Sequence, residues 1–237
     1  MAASDLDPLL TSLSEARRAR RTVMSTSADR AARALREQVV EGALRSGTRL
    51  PEVRLADALG VSRNTLREAL SQLVAERILV REEHRGVLVA TPDADAVRDV
   101  YAARRIIEPA AVLHGPRLDD AHLAALDAAV REGTIAGDRG DWGAVGSANQ
   151  HFHRAVVALS GSERLVAQME LLLAEMRLFF HQMGDPERFH APYLEENAMI
   201  AGHLRAGRRA DAAGRMAAYL RAAEEQLVAG FEQRAGR

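Results

Sequence analysis

Arg63, Asn64 and Arg67 are the residues of this chain whose types and spacing most clearly define a chemistry. An arginine guanidinium donates two parallel hydrogen bonds to O6 and N7 of guanine, and an asparagine amide pairs with N6 and N7 of adenine. Positions 63 and 67 are four apart, so on a helix both guanidinium groups leave the same face. Ser62, just before them, is a natural N-cap, and the start of a helix attracts phosphate. The set fits a helix whose first turns meet base edges in a groove of double-stranded DNA. A single arginine here would more often be an ordinary solvated charge, so the argument rests on the combination.

The elements that must position these side chains are visible on either side. Leu66, Ala69, Leu70 and Leu73 give the same helix a buried face, leaving Arg63, Asn64, Arg67 and Ser71 outside. Upstream, Leu55, Ala58 and Leu59 line a short helix that starts at Pro51 and buries Leu55 and Leu59. Gly60 permits the tight turn between the two helices, and Val61 plugs the angle. An earlier helix begins after residues 27–29, carries Ala32, Leu35, Val39 and Val40 inward, and ends by Gly47. Two β-rich runs follow, at 78–81 and 87–90, separated by Glu83, His84, Arg85 and Gly86. Three helices and a hairpin in this order predict a winged helix-turn-helix over residues 27–91.

The rest of the chain predicts a second, all-α domain. Thr91, Pro92 and Asp93 punctuate the sequence, and residues 92–96 read as a linker. Helical spans are expected at 94–114, 118–135, 141–159, 162–182, 188–206 and 209–231, with breaks at glycines 115, 137, 140, 161, 184 and 207. Residues 97–231 then form a bundle of six to seven helices. Residues 1–26 are polar and patternless with four arginines between 17 and 21. They read as a disordered tail, with a basic arm on DNA phosphates as the sharper alternative.

Bulk properties bound the remaining possibilities. The 237 residues suit two domains, and 47% hydrophobic with only 4% aromatic content means cores of Ala, Leu, Val and Ile, which favours helices. No run approaches the ~20 apolar residues of a membrane span, and the N-terminus lacks a secretory signal. Cysteine is absent, which excludes disulfides, thiolate metal sites and a Cys nucleophile; a cytoplasmic location is expected. Lysine is absent too, so every strong base is arginine. Residues 27–91 hold 11 Arg against 9 acids and residues 92–237 hold 17 Arg against 21 acids, so charge does little to announce a nucleic-acid partner. No nucleophile with its base, phosphate loop or hydrolytic metal site stands out, so neither enzymatic activity nor a cofactor is expected.

The residues Gly47 to Glu52, Leu55-Ala56, Leu59 to Arg63, Arg67 to Leu70 and Gly86-Val87 resemble the GntR family of transcription regulators over residues 30–90. The resemblance implies base contacts by Arg63, Asn64 and Arg67, phosphate or base contacts by Ser62 and Thr65, and a backbone contact by Arg54. It also implies that Gly86, with His84 or Arg85, reaches the minor groove from the wing tip. Relatives often carry Arg directly after the position of Glu52; here it is Val53, and Arg54 is the available substitute. The helical half resembles the FadR-type ligand-binding domain called FCD. The resemblance rests on Tyr101 to Arg104 with Glu108-Pro109, on Asn149 to His153, and on Glu196-Asn197 through Leu204, Gly207, Met216 and Tyr219-Leu220.

Many FCD relatives hold a divalent metal with one Asp and three His. The matching positions here are Asn149, His153, Asn197 and Tyr219, so one ligand of four remains and no bound metal is expected. His151 cannot help His153, because two residues apart on a helix is about 200° around. His114, His122, His181 and His190 sit near helix ends or turns and read as surface or capping groups. Asn149 and His153 share a face, and Asn197 and Tyr219 lie on the last two helices, so the four can line a polar pocket. Arg104 or Arg105 can pair with a carboxylate or phosphate on an effector. In the plainer reading Tyr219 is core with its hydroxyl satisfied, Phe152, Phe179 and Phe180 are core, and Glu108, Glu195 and Glu196 are solvated charges.

The expectation is a homodimeric repressor on a palindromic operator, switched by an organic acid or similar anionic metabolite. The alternative keeps the DNA binding and makes the bundle only a dimerisation or protein-docking scaffold.

Overall fold

The computed structural model describes residues 26–235; the expected tail falls on residues outside that range, apart from Thr26. The described residues hold nine helices and one two-stranded sheet. In chain order these are α1 (Ser27–Val40), α2 (Glu52–Leu59), α3 (Arg63–Ala75), β1 (Leu79–Glu82), β2 (Gly86–Val89), α4 (Ala94–His114), α5 (Asp120–Asp138), α6 (Trp142–Ala158), α7 (Glu163–His181), α8 (Pro186–Arg205) and α9 (Arg209–Ala235). They form two compact units that divide between Thr91 and Pro92.

The first unit is built around α3. Thr26 and Asp29 cap α1 reciprocally, each side chain taking the other's backbone N–H. Leu66, Ala69, Leu70 and Leu73 of α3 are fully buried, against Leu35 and Val39 of α1 and Leu55 of α2. Gly60 adopts φ 63° and turns the chain from α2 into α3. Arg36 clasps Glu76 with Nε and Nη2, at 3.1 and 2.6 Å, tying α1 to the end of α3.

Several boundaries differ from expectation for local reasons. α1 stops at Val40, well before Gly47, because Gly42 takes a left-handed φ of 81° and the Leu44 amide folds back onto the Gln38 carbonyl. Pro51 stands at the N-cap rather than inside α2, and Leu59 is half-buried rather than buried. The first strand begins at Leu79, since the Ile78 amide closes α3 on the Leu73 carbonyl. β1 and β2 pair antiparallel, Leu79 opposite Val89 and Glu82 opposite Gly86.

The second unit contains six helices. Asp93, Asp119, Asp141, Ser162 and Asp185 each accept a backbone N–H at a helix start, which fixes five of the six N-termini. Left-handed glycines at 140, 161 and 207 end α5, α6 and α8. At Gly115 the reason is space: a Cβ there would lie 2.3 Å from the Leu159 carbonyl oxygen. α7 runs through the middle, with every residue from Leu173 to Phe180 buried. Around it pack Val97, Val112, Phe152, Val156, Ile200 and Leu220.

Ser62 caps α3 with an Oγ that accepts from the Thr65 amide at 3.1 Å. Ser62→Ala is expected to lower stability by about 1 kcal/mol, measured by urea denaturation of the full chain; an unchanged midpoint would show that the cap contributes nothing.

Candidate nucleic-acid interface and buried polar cluster

The DNA-facing candidates lie on two exposed edges of the first unit. Ser62, Arg63, Asn64 and Arg67 are exposed along the start of α3, and Thr65 is half-buried between them. The Ser62 hydroxyl is engaged, both by the Thr65 amide and by the Thr65 hydroxyl at 2.8 Å. Arg67 is 65% exposed, and its Nε donates to Glu52 Oε2 at 3.1 Å. Glu52 opens α2, so a carboxylate holds the Arg67 Nε beside the exposed face of α3; sequence reasoning missed this partner. Arg54 is half-buried one turn into α2.

His84, Arg85 and Gly86 sit at the hairpin tip. His84 and Gly86 have φ of 62° and 82°, and a Cβ on Gly86 would touch nothing within 4 Å. Glycine is needed there for its backbone conformation, not for room. Arg85 is ion-paired with Glu82, and His84 stands almost fully in solvent.

The second unit brings together Arg104, Asn149, His153, Asn197 and Tyr219, from α4, α6, α8 and α9. It does so through a residue expected to be solvated, Glu108, which is completely buried. Arg104 Nε donates to Glu108 Oε1 at 2.6 Å. The other carboxylate oxygen, Oε2, meets His153 Nδ1 at 2.6 Å. His153 Nε2 lies 3.0 Å from the Tyr219 hydroxyl. That hydroxyl is 3.1 Å from Asn149 Oδ1, which accepts from Asn197 Nδ2 at 2.7 Å. Tyr101 places its ring 4.8 Å below the Arg104 guanidinium carbon, a cation–π contact on a third side.

Arg105 does not join them. It is one residue, about 100°, around the helix from Arg104, and it pairs with Glu224 at the surface. Its expected place beside an effector is therefore corrected. His190 is also corrected: it is buried, edge-on to Phe180 and Phe189 at 4.9 and 5.0 Å. A notch at Gly146 makes room for it, where a Cβ would lie 2.4 Å from Arg177 Nη1 and 3.1 Å from His190 Nε2.

Burial pushes the Glu108 carboxyl up, but Arg104 and His153 together outweigh it and leave the group below its ordinary value. Burial lowers His153, Arg104 lowers it further, and Glu108 opposes them without winning. The cluster thus holds one guanidinium, one carboxylate and a neutral imidazole. A neutral His153 that donates from Nδ1 presents Nε2 as an acceptor, so the single Tyr219 hydroxyl proton lies between two acceptors, His153 Nε2 and Asn149 Oδ1. Asn149 Oδ1 also accepts from Asn197 Nδ2, which leaves the Asn197 carbonyl over.

More is left over on Arg104. Its Nη1 and Nη2 are buried and have no hydrogen-bond partner among the described residues, and the same holds for Asn197 Oδ1. A buried unpaired donor costs about 1–3 kcal/mol. Next to this set runs a groove of 760 Å³ between α8 and α9, in which Tyr219 lies beside Tyr193, Glu196, Arg215 and Gln226. The Tyr219 side chain is shared by the groove and the cluster.

The four positions that carry metal in FCD relatives do converge, but their donors do not suit a transition metal. Both His153 nitrogens are engaged, Asn149 and Asn197 bond each other, and burial raises the Tyr219 phenol well above its ordinary value. Neutral amides and a protonated phenol are weak ligands. No group of three or more His, Cys, Asp or Glu among the described residues is placed to hold a metal ion.

A winged helix-turn-helix followed by an all-α domain with a buried polar cluster defines a class, the two-domain transcription regulators. Residues 27–89 match the profile of "Bacterial regulatory proteins, gntR family", and residues 99–222 match the FCD domain. The chain belongs to the GntR family of transcription regulators, with an FCD domain; these are regulators, not enzymes. It is 32% identical over 134 residues, or 56% of its length, to the Nta operon transcriptional regulator of Aminobacter aminovorans, of which 63% is covered. It is 27% identical over 196 residues to the galactonate operon transcriptional repressor of Escherichia coli, covering 73% of this chain and 84% of that one. A solved GntR regulator from Rhodococcus sp. RHA1 superposes with TM-score 0.79 at 36% identity, covering 87% of this chain and all of that one. No helix among the described residues is long and apolar enough to cross a membrane.

The pH response follows from the buried histidines. Burial lowers His190 to about 3, with Arg177 adding to the effect, and lowers His153 as well. The unfolded chain takes up these protons near pH 6.5 and the folded one does not, so stability falls as pH drops below about 6.5. Glu108, held below its ordinary value, adds loss in the same direction at lower pH. Melting temperatures between pH 7.5 and 4.5 should decline, and His190→Phe should flatten the decline. An equal slope in that variant would show that His190 titrates normally when folded.

Proposed function

We propose that this chain is a cytoplasmic repressor that binds a palindromic operator as a homodimer through residues 27–91. An anionic small molecule bound within residues 97–231 releases it. The observation that carries the effector reading is the pair of partnerless Arg104 amino groups inside a fully buried cluster. A carboxylate takes two guanidinium N–H groups in a fork and removes both deficits at once. The spare polar atom of Asn197 suits a hydroxyl on the same ligand, so hydroxy acids and sugar acids are the favoured class. Arg104, Asn149, His153, Asn197 and Tyr219 are the assigned effector residues. The repressor assignment draws on the similarity to the galactonate operon repressor. To switch the protein, the acid must prefer one arrangement of the chain over another; tight binding alone shifts nothing.

On the DNA side, Arg63, Asn64 and Arg67 are assigned to base edges, Ser62, Thr65 and Arg54 to the backbone, and His84, Arg85 and Gly86 to the minor groove. Arg67→Ala is expected to cost about 1–3 kcal/mol in operator binding and to relax specificity at one base pair. Fluorescence anisotropy on a set of single-base operator variants measures both. A uniform loss on every sequence would reassign Arg67 to a phosphate.

A thermal-shift screen with lactate, malate, citrate, gluconate and galactonate tests the sensor. One acid should raise the melting temperature, lower operator affinity, act equally in excess EDTA and lose its effect in Arg104→Gln. If none stabilises the chain while operator binding is normal, the bundle is a dimerisation or docking scaffold.

A further inference from the structure

Where α7 turns into α8 lies a second cleft, of 390 Å³, with the last turns of α9 as its other wall. None of Arg104, Asn149, His153, Asn197 and Tyr219 lines it. Its volume is within the range of small-molecule sites and far above the ~30 Å³ of one water. Its floor is apolar. Phe189 is 2% exposed and packs on Phe180 and Tyr193. The Met183 thioether lies against α9 at Gly230, where a Cβ would come within 2.9 Å of Cε.

The mouth is basic. Arg188 from α8 and Arg234 from α9 both line the cleft, and both are exposed. Arg98, Arg105, Arg205 and Arg215 of the same unit each have an acid. The Arg188 and Arg234 guanidinium groups have neither an ion pair nor a hydrogen bond among the described residues. One unpaired surface arginine is ordinary; two from different helices over one apolar floor are not. Arg234 reaches across the cleft, since a Cβ on Gly184 in the α7–α8 turn would lie 3.9 Å from its Nη2. The Arg188 backbone is pinned on both sides, its amide by Asp185 Oδ1 at 3.0 Å and its carbonyl by Gln226 Nε2 at 3.3 Å. Gln226 is itself held by the Tyr193 hydroxyl at 2.9 Å. Asp185 is the one acid in the lining, and it is occupied as the cap of α8. The cleft therefore presents two positive charges against one negative.

We propose that this cleft is a second ligand site, for a carboxylate carried on a compact apolar body such as an aromatic ring. A carboxylate supplies the acceptors that the two guanidinium groups lack. A ring covers Phe189, Met183 and Ala229, which a bare ion leaves wet. The site differs in kind from the buried cluster, and it stands whether or not that cluster binds an acid. Met183 follows Gln182, whose side-chain amide donates to the Pro92 carbonyl at 3.1 Å. A ligand here thus sits beside the hydrogen bond that fixes where the chain enters the helical unit.

Benzoate is the probe, and NMR of the full chain labelled at its methionine methyl groups is the readout. Met183→Leu identifies the Met183 resonance. Benzoate should move that resonance saturably through its ring current and leave those of the buried Met169 and Met176 in place. Arg188→Gln and Arg234→Gln should each weaken binding about tenfold, while Arg104→Gln should not change it. Benzyl alcohol, the ring without the charge, and acetate, the charge without the ring, should both bind more weakly than benzoate. A Met183 resonance that benzoate leaves in place, or that responds equally to benzyl alcohol or in both arginine variants, overturns the site. Binding lost in Arg104→Gln and kept in the other two variants also overturns it, and puts the acid in the buried cluster instead.

Discussion

The second unit is organised around one constraint: the Arg104 guanidinium is wholly out of water and cannot lose its proton. Such a charge must be paired or it prevents folding. Glu108 supplies the countercharge from one turn along the same helix, and the remaining oxygen of that carboxylate fixes the His153 tautomer. From there the order passes through Tyr219 to Asn149 and Asn197, so four helices are registered by one chain of hydrogen bonds. A core of leucine and alanine tolerates small slips between helices. A hydrogen-bonded chain with a charge at its head does not.

The same residue type has the opposite part in the first unit. Arg63 and Arg67 are exposed along the start of α3, so a partner that takes them meets only a small desolvation cost. Their helix is held from behind by four fully buried side chains, so its front is free of any packing duty. Glu52 gives Arg67 only a weak partner, since an exposed pair of this kind is worth little. One unit therefore uses arginine as a fixed post and the other presents it to solvent, and the distinction lies in what packs around each.

Much of this was legible in the sequence, because local rules decide it. The Gly60 turn, the Ser62 cap and the leucine spacing of α3 place its buried and exposed faces correctly. Glycines and capping aspartates locate the six bundle helices to within a few residues. The choice between Arg104 and Arg105 is legible too: Val97, Val100, Tyr101, Arg104, Glu108 and Ala111 form one helical stripe, and Arg105 lies off it. The burial of Glu108 shares that signal. By type a glutamate points to solvent, while the register of Glu108 points to the core. His190 left less trace, since its burial depends on a notch at Gly146 in another helix and on two phenylalanines brought together only by folding. Glu52 could not be matched to Arg67 by spacing, because they meet across a turn.

The all-arginine composition of α3's basic face carries a last consequence. A guanidinium is a fixed charge rather than a proton switch near neutral pH, so an exposed face built on arginine alone presents the same basic groups in mild acid as in mild base. Proton sensitivity is concentrated instead in buried imidazoles of the helical unit, where a change of charge is felt through packing. Acidification therefore changes the charge held inside the helical unit and leaves the number of guanidinium groups along α3 as it was.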